Sequence, residues 1–515
     1  MWSCTRHRYV GEIVRALRWE STAAAPAAIS LTNDASPAHR DPSALLQTLR
    51  EIVQHKKDYP FLALRKKPRK TIVIDFSSPN IAKPFHAGHL RSTVLGNFIA
   101  NLHNRSGHRV HRVNYLGDWG TQCGIVLAAL EAFGSEEQLQ TSPLQHLLEL
   151  YVKGSELDKN DAEFNQRARS IFAAMEAGDV SLSQQWSTVR DLSLRQYDAL
   201  YKRIGVEFDE TSGESLYAHA AREAARHLTD ALQAEAPADE VAGEFGQRLL
   251  KTDGSSLYLS RDLAALLDRA RRLNFDEMLY VVENAQTEHF QALFQAAQYF
   301  PELKNRTLQH VKFGRIRGLS TRKGQVVLLS DLLDELQQSM KERMGGSKTT
   351  KVPAAEVDAV AEALALSLII VNDFQQSRTH DYDNARGKLQ QVEGDTGLFL
   401  QYCHARICSL ERSAGVNVNE NCDVECLREE EALAVLQQLA AVQSCVERAG
   451  TQLEPVHIVR YLFQTAHLSN RAMRILRVKN QPKDVAEARL LLFHGVRLVM
   501  AALMEVLGLR PLQQM

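Results

Sequence analysis

The chain has 515 residues, 44% hydrophobic and 24% charged, with a formal net charge of −1 at pH 7. That composition is ordinary for a globular protein. It is too long for one core of ~100–200 residues, and it lacks the overall basic charge that marks many nucleic-acid binders, so any RNA contact must come from local patches. No apolar run approaches the ~20 residues of a membrane span, and Ala363–Val371 is only core-helix length. The seven cysteines include no CxxC pair, which fits a reducing compartment. Cys422 and Cys426 lack a second ligand pair, so no metal site is expected.

Residues 1–33 carry Arg6, Arg8, Arg15 and Arg18 against Glu12 and Glu20, with Val10, Val14 and Leu17 on one helical face and the small-residue run Ser21–Ala25 after them. An arginine-rich, acid-poor amphipathic start is expected of a mitochondrial transit peptide, and so of a matrix protein; the alternative is an unfolded tail. Residues 34–70 read as a short helix and a basic linker with Lys56, Lys57, Arg65, Lys66, Lys67, Arg69 and Lys70. Such runs are usually a solvated face.

Thr71–Phe76 is a β-branched apolar run expected as a buried parallel strand, broken by Ser77-Ser78-Pro79-Asn80. Leu90, Val94, Phe98, Ile99 and Leu102 recur at helical spacing after His86-Ala87-Gly88-His89. Val110, Val113 and Tyr115 mark a second strand before Gly117-Asp118-Trp119-Gly120, which completes a βαβ unit. Residues 125–245 read as a helical, charged insertion. A second βαβ-like region is expected from a strand at Leu257-Tyr258-Leu259, a helix from Asp262, a strand at Met278–Val282 and a helix near Thr287. From Leu332 onward the period is helical almost throughout, ending in a helix over about Asp484–Leu507 with Gly508 and Pro511 as stops.

The seam between the first strand and helix is where chemistry is expected. Helix N-termini at the carboxyl ends of parallel strands favour anions. Gly88 lets a base or ribose approach the backbone, while His86 and His89, on one side of the first turn, can donate to phosphate oxygens beside the Lys83 ammonium. Further on, Tyr258 and Asp262 stand four apart, so on a helix start a phenol and a carboxylate face one way.

The run Ser77–Thr93 and the block Asn114–Gln122 resemble the class I signature region of arginyl-tRNA synthetases, especially the eukaryotic and mitochondrial branch. Asp253–Ala264 is similar to that family's arginine-pocket block, with Tyr258 and Asp262 spaced to suit a planar guanidinium, and Gly318–Gly324 resembles the second class I signature, with Thr321 in place of a lysine that arginyl enzymes commonly lack. The match extends over roughly residues 70–515. It implies a Rossmann-like α/β catalytic domain over 71–330 with the helical insertion inside it, a helical connector over 331–390, and an all-α anticodon-binding domain of DALR type over 391–515.

The resemblance further implies a two-step reaction: arginine carboxylate attacks the α-phosphorus of ATP, magnesium accompanying the nucleotide, and arginine is then passed to the 3′ adenosine of tRNA(Arg). By the resemblance Lys83, His86 and His89 stabilise the phosphate transition state, joined around ATP by Gly88, Ser320, Thr321, Arg322 and Lys323. Asp75, Asn80, Tyr258, Asp262 and Gln286 would select arginine; the family usually has a glutamate where Asp75 stands. The implied tRNA contacts are Tyr402, stacking on an unpaired base, and Arg471, Arg474 and Arg477, neutralising phosphates. A monomer, away from any membrane, is expected. Competing readings are a catalytically weak tRNA-binding relative and another class I-type adenylate-forming nucleotidyltransferase.

Overall fold

The computed structural model describes residues 41–82, 85, 87–235, 258–317, 328–346, 352–383 and 393–515. The expected transit segment 1–33 lies outside them.

Asp41 opens the first helix, α1 (Pro42–His55), by accepting from Ser43 N–H. A basic linker leads into β1 (Thr71–Asp75), and after the serine-proline break comes α2 (Ala87–Arg105). β2 (Arg109–Leu116) follows, then an insertion of long helices: α3 (Thr121–Phe133), α4 (Pro143–Asn160), α5 (Ala162–Glu176) and α6 (Val180–Ile204). β3 (Glu210–Gly213) and α7 (Ala218–Glu235) lead to α8 (Tyr258–Leu273), β4 (Glu277–Glu283), α9 (Thr287–Ala297) and β5 (Thr307–Phe313).

The five strands form one parallel sheet in the order β3-β2-β1-β4-β5. Side chains alternate across it. Ile72 and Ile74 pack into the core shared with Leu95, Phe98 and Ile99 of α2, whereas Val73, Val113 and Met278 face Leu263, Leu266 and Leu267 of α8 and Leu293 of α9. With both faces covered, β1 has to be apolar on both sides.

Two expectations need correction. Tyr258 and Leu259 are not strand: α8 already runs from Tyr258, because Leu259, Leu263, Leu266 and Ala270 make one continuous buried stripe. The residues read as pure helical insertion also contain β3, whose sequence Glu-Thr-Ser-Gly has no apolar alternation and pairs only at the sheet edge. β5 escaped the sequence reading as well.

The second half begins with a two-residue ladder, β6 (Ile316–Arg317) against β7 (Tyr382–Asp383), with α10 (Leu329–Gly346) and α11 (Val357–Phe374) between them. β7 interrupts a region expected to be helical. The C-terminal helices are α12 (Gly397–Ser413), α13 (Glu430–Ala440), α14 (Val442–Gln452), α15 (Val456–Ile475) and α16 (Lys483–Val506). They are not a separate bead. Leu49 and Ile52 of α1 share their core, and a Cβ on Gly495 of α16 would fall 2.7 Å from Leu49. The far end of α16 meets the catalytic helix. Asn101 of α2 donates to the Glu505 and Val506 carbonyls, and the Glu505 carboxylate binds Arg105 at 2.7 Å and Lys57 at 2.5 Å.

α2 crosses β1 so closely that a Cβ on Gly96 would lie 2.2 Å from the buried Phe76 ring. Gly96→Ala is expected to force the helix off the sheet, costing about 1–3 kcal/mol. The onset of thermal unfolding measures this, and an unchanged onset would mean that the crossing has slack.

Candidate active site

Strand order reverses between β1 and β4, so a crevice opens beyond their carboxyl ends. Alternation decides what lines it. Asp75 follows Val73 onto the face under α8, and its register partners are Val113 and Tyr280. Tyr115 follows Val113 onto the same face. From above, α8 contributes Asp262 and, two turns further along the same side, Arg269.

Arg269 is buried and points its guanidinium at Asp75, with Nη1 2.8 Å from Oδ2, and lies over the Tyr115 ring at 5.0 Å. Ser78 Oγ donates to the other Asp75 oxygen at 2.8 Å. The resemblance implies that Asp75 opposes the substrate. In the structure both Asp75 oxygens have donors from the chain itself, and the residue is only 4% exposed.

Asp262 is placed differently. It is partly open, and its Oδ2 lies 2.6 Å from His289 Nε2, one turn into α9. Burial opposes charge on His289, but the hydrogen bond and charge of Asp262 outweigh it, so its pKa is raised above the usual histidine value. Glu214 accepts from Arg261 at 2.9 Å. Burial, and then the charge of Asp262, push the Glu214 carboxyl up to about 8. The same two causes drive the buried Tyr115 hydroxyl well above its ordinary range, so it stays a neutral phenol.

Tyr258 is exposed in the first turn of α8 and extends its hydroxyl toward Gly120, where a Cβ would lie 3.7 Å away. Gln286 is exposed on the turn Asn284–Gln286 that follows β4, immediately before α9. Asn80 is half-buried, its carbonyl accepting from Tyr197 at 2.8 Å, and it forms a parallel bridge to Gly117. The structure thus places Asp75 and Gln286 at the ends of β1 and β4 and Asp262 on α8, with Asn80 on the loop after β1 and Tyr258 near Gly120, beyond the end of β2.

That loop is held in a costly shape. Ser77 and Ser78 have φ of 71° and 48°, a region that side chains other than glycine rarely adopt. Hydrogen bonds over-determine it. Ser77 N–H donates to Ser92 Oγ at 2.9 Å, Ser92 donates to the Val281 carbonyl, Ser77 Oγ meets Tyr201 at 2.8 Å, and Ser78 N–H donates to Asn114 at 3.1 Å. The signature helix is thereby tied to β4 and to the insertion.

On the nucleotide side, Gly88 and His89 lie in the first turn of α2, and the His89 ring packs 5.2 Å from that of Phe85. Lys83, His86, Ser320, Thr321, Arg322 and Lys323 lie outside the described residues. Arg91, absent from the sequence reading, is fully buried on α2. It donates to the carbonyls of Gly314, Ser377 and His380 and pairs with Asp373 at 3.1 Å, so it fixes the chain leading into β6.

On the C-terminal helices, Tyr402 is 48% exposed on α12, and Arg406, one turn on, reaches Asn470 of α15 at 3.0 Å. Arg471, Arg474 and Arg477 follow on that exposed side, Arg471 touching Glu431 at 3.3 Å. The local basic excess is smaller than the sequence suggests. Arg489 is spent on Glu429 and Arg497 on Glu411, acids brought from helices distant in sequence.

Sequence reasoning missed Arg269, His289 and Glu214. Arg269 had a signal, since it stands seven after Asp262 on a helix; His289 and Glu214 had none strong enough to separate them from surface residues.

Residues 48–385 match the family described as tRNA synthetases class I (R), catalytic domain, and residues 400–515 match the DALR anticodon binding domain. A probable mitochondrial arginine–tRNA ligase of Mus musculus is 42% identical over 457 residues, covering 87% of this chain and 79% of the relative. The cytoplasmic arginine–tRNA ligase of Saccharomyces cerevisiae is 35% identical, covering 90% and 79%. Among solved structures, the arginyl-tRNA synthetases of Plasmodium falciparum and Thermus thermophilus both superpose with a TM-score of 0.72. Their identities are 23% and 20%, and the shares covered are 89% and 83%, and 92% and 86%, of this chain and of theirs. The chain belongs to the arginyl class I tRNA synthetase family.

Removing Arg269 would leave the Asp75 carboxylate buried without its counter-charge. Arg269→Met is expected to cost about 3–5 kcal/mol of stability, and the double change with Asp75→Asn to recover much of it. Denaturant unfolding of the single and double variants checks this, and equal losses in both would show that the pair is not coupled.

Proposed function

We propose that this member of the arginyl class I tRNA synthetase family is an arginine–tRNA ligase that acts in the mitochondrial matrix. It activates L-arginine with ATP and transfers it to the 3′ adenosine of tRNA(Arg). The observation that carries the reading is Asp262, a partly open carboxylate beside the exposed Tyr258 and Gln286 at the sheet's switch point, next to the N-terminal turn of α2. A guanidinium needs in-plane acceptors and gains most where water is partly excluded.

In this reading Asp262, Tyr258 and Gln286 take the guanidinium, and Asn80 holds the α-amino end. Asp75 acts at one remove: it fixes Arg269, which packs against Tyr115 and shapes the pocket floor. Lys83, His86 and His89 stabilise the charge developing on the α-phosphate, with Gly88, Ser320, Thr321, Arg322 and Lys323 around the triphosphate. Mg2+ would arrive with ATP, the triphosphate oxygens being hard ligands suited to it. The chain's groups bind and orient the reactants without forming a covalent enzyme intermediate. Tyr402, Arg471, Arg474 and Arg477 take the tRNA anticodon arm, and the protein works as a monomer.

Arginine-dependent exchange of pyrophosphate into ATP tests the activity, with and without tRNA. Exchange is expected with arginine and tRNA present and not with other amino acids; none under that condition would leave only a binding role. Asp262→Asn is expected to raise the arginine KM by about 100-fold, since a charge-assisted contact to a substrate cation is lost. An unchanged KM would mean that the pocket lies elsewhere.

A further inference from the structure

Two carboxylates line this crevice, and the chain provides each with a cation of its own. The two pairs differ in one respect that matters for a cationic substrate. Asp75 is held by Arg269 and Ser78, the Asp75 and Arg269 side chains being 5% and 1% exposed. A guanidinium does not give up its proton in a protein, so this pair is permanent. Asp262 is held through Oδ2 by His289, at 2.6 Å, with side chains 22% and 23% exposed. An imidazole can release its proton near neutral pH.

We propose that His289 is a specificity-determining residue that holds the place of the substrate guanidinium on Asp262, and that arginine binding expels the His289 proton to solvent. The inference rests on the reading of Asp262 as the arginine-binding carboxylate. The exchange is balanced: the imidazolium–carboxylate pair and the arginine cation become a neutral imidazole, a carboxylate–guanidinium pair and a released proton. The pocket carries the same net charge before and after. Two cations are never asked to share one carboxylate, which would cost several kcal/mol at short range in a partly dry site. A side chain without a cation cannot drive the exchange, because it offers Asp262 nothing in return for the imidazolium.

The surroundings of His289 favour this role. Asp262 faces it from α8, and Glu214 lies beyond Asp262, held by Arg261. From β5 comes His310, whose Nε2 meets the Val282 carbonyl at 2.9 Å and whose pKa is lowered, first by burial. Glu288 on its own helix is exposed. His289 alone of these pairs directly with Asp262. Its raised pKa follows from that contact, and the sign is fixed: the proton is present below the pKa and must leave on binding, so arginine affinity falls as pH falls.

Isothermal titration of arginine into the intact protein, in buffers of different ionisation enthalpy, counts the protons released. Between about pH 6 and about pH 8, where the arginine α-amino group stays charged, the parent is expected to release up to about one proton at the acid end. Its Kd should weaken by up to about tenfold per pH unit there. His289→Gln should abolish that release and flatten the profile, whereas Glu214→Gln, which removes the carboxyl held at about 8 beside Asp262, should retain it. No proton release by the parent overturns the proposal, and that measurement needs no variant to fold. Undiminished release in His289→Gln also overturns it, while leaving the pocket intact if Asp262→Asn still weakens arginine. If Asp262→Asn binds arginine as the parent does, the pocket reading fails and the proposal with it.

Discussion

The Asp75–Arg269 ion pair is the interaction on which the catalytic centre turns. Two charges removed from water lose several kcal/mol of solvation each, and only close geometry with further hydrogen bonds compensates. Here Ser78 takes the remaining Asp75 oxygen, and the Tyr115 ring lies under the guanidinium. The consequence is positional. Once Arg269 is fixed over the end of β1, the preceding turns of α8 are fixed too, and Asp262 is presented at the crevice mouth rather than to bulk solvent. The serine loop that supplies Ser78 is itself strained and is stitched to α2, β4 and the insertion. A single buried pair thus sets the register between strand, helix and loop.

The two carboxylates of the pocket are chemically alike and differ in what surrounds them. Asp75 is buried and paired with an arginine, whereas Asp262 is partly exposed and paired with a histidine. Glu214, displaced up to about 8 by burial and then by Asp262, carries less negative charge at neutral pH than its composition implies. Asp75 and Glu214 are each held by an arginine of the chain, and Asp262, held by His289, is the most open of the three.

The catalytic half and the C-terminal helices are joined mechanically at several places. Glu505, Asn101 and Arg105 lock the end of α16 to α2, and α1 contributes Leu49 and Ile52 to the C-terminal core. Arg91, also on α2, gathers the carbonyls of Gly314, Ser377 and His380 around one buried guanidinium. Because α2 starts at the first signature, a displacement of the C-terminal helices bears on the turn that carries Gly88 and His89. Packed interfaces of this kind move as units.

Local chemistry made much of this legible from sequence alone. The β-branched run at Thr71–Phe76, the helical period after His89, and the spacing of Tyr258 and Asp262 depend on backbone geometry within a few residues, so they could be read without a fold. The order of the signature blocks carried the family for the same reason: each block is short and chemically constrained. What the sequence did not disclose is which charges meet. Nothing near Asp75 in the sequence tells that Arg269, far along the chain, is brought over it. Arg489 and Arg497 count as basic charge of the last helix until Glu429 and Glu411, far away in sequence, pair with them. His289 reads as a helix surface residue until α9 sets it against Asp262. β3 is invisible because an edge strand needs only backbone pairing with β2, not an apolar pattern. Periodicity reports how a segment meets the core, but ion pairing depends on distances that long-range packing alone fixes, and in this protein those distances give Asp75 an arginine and Asp262 a histidine.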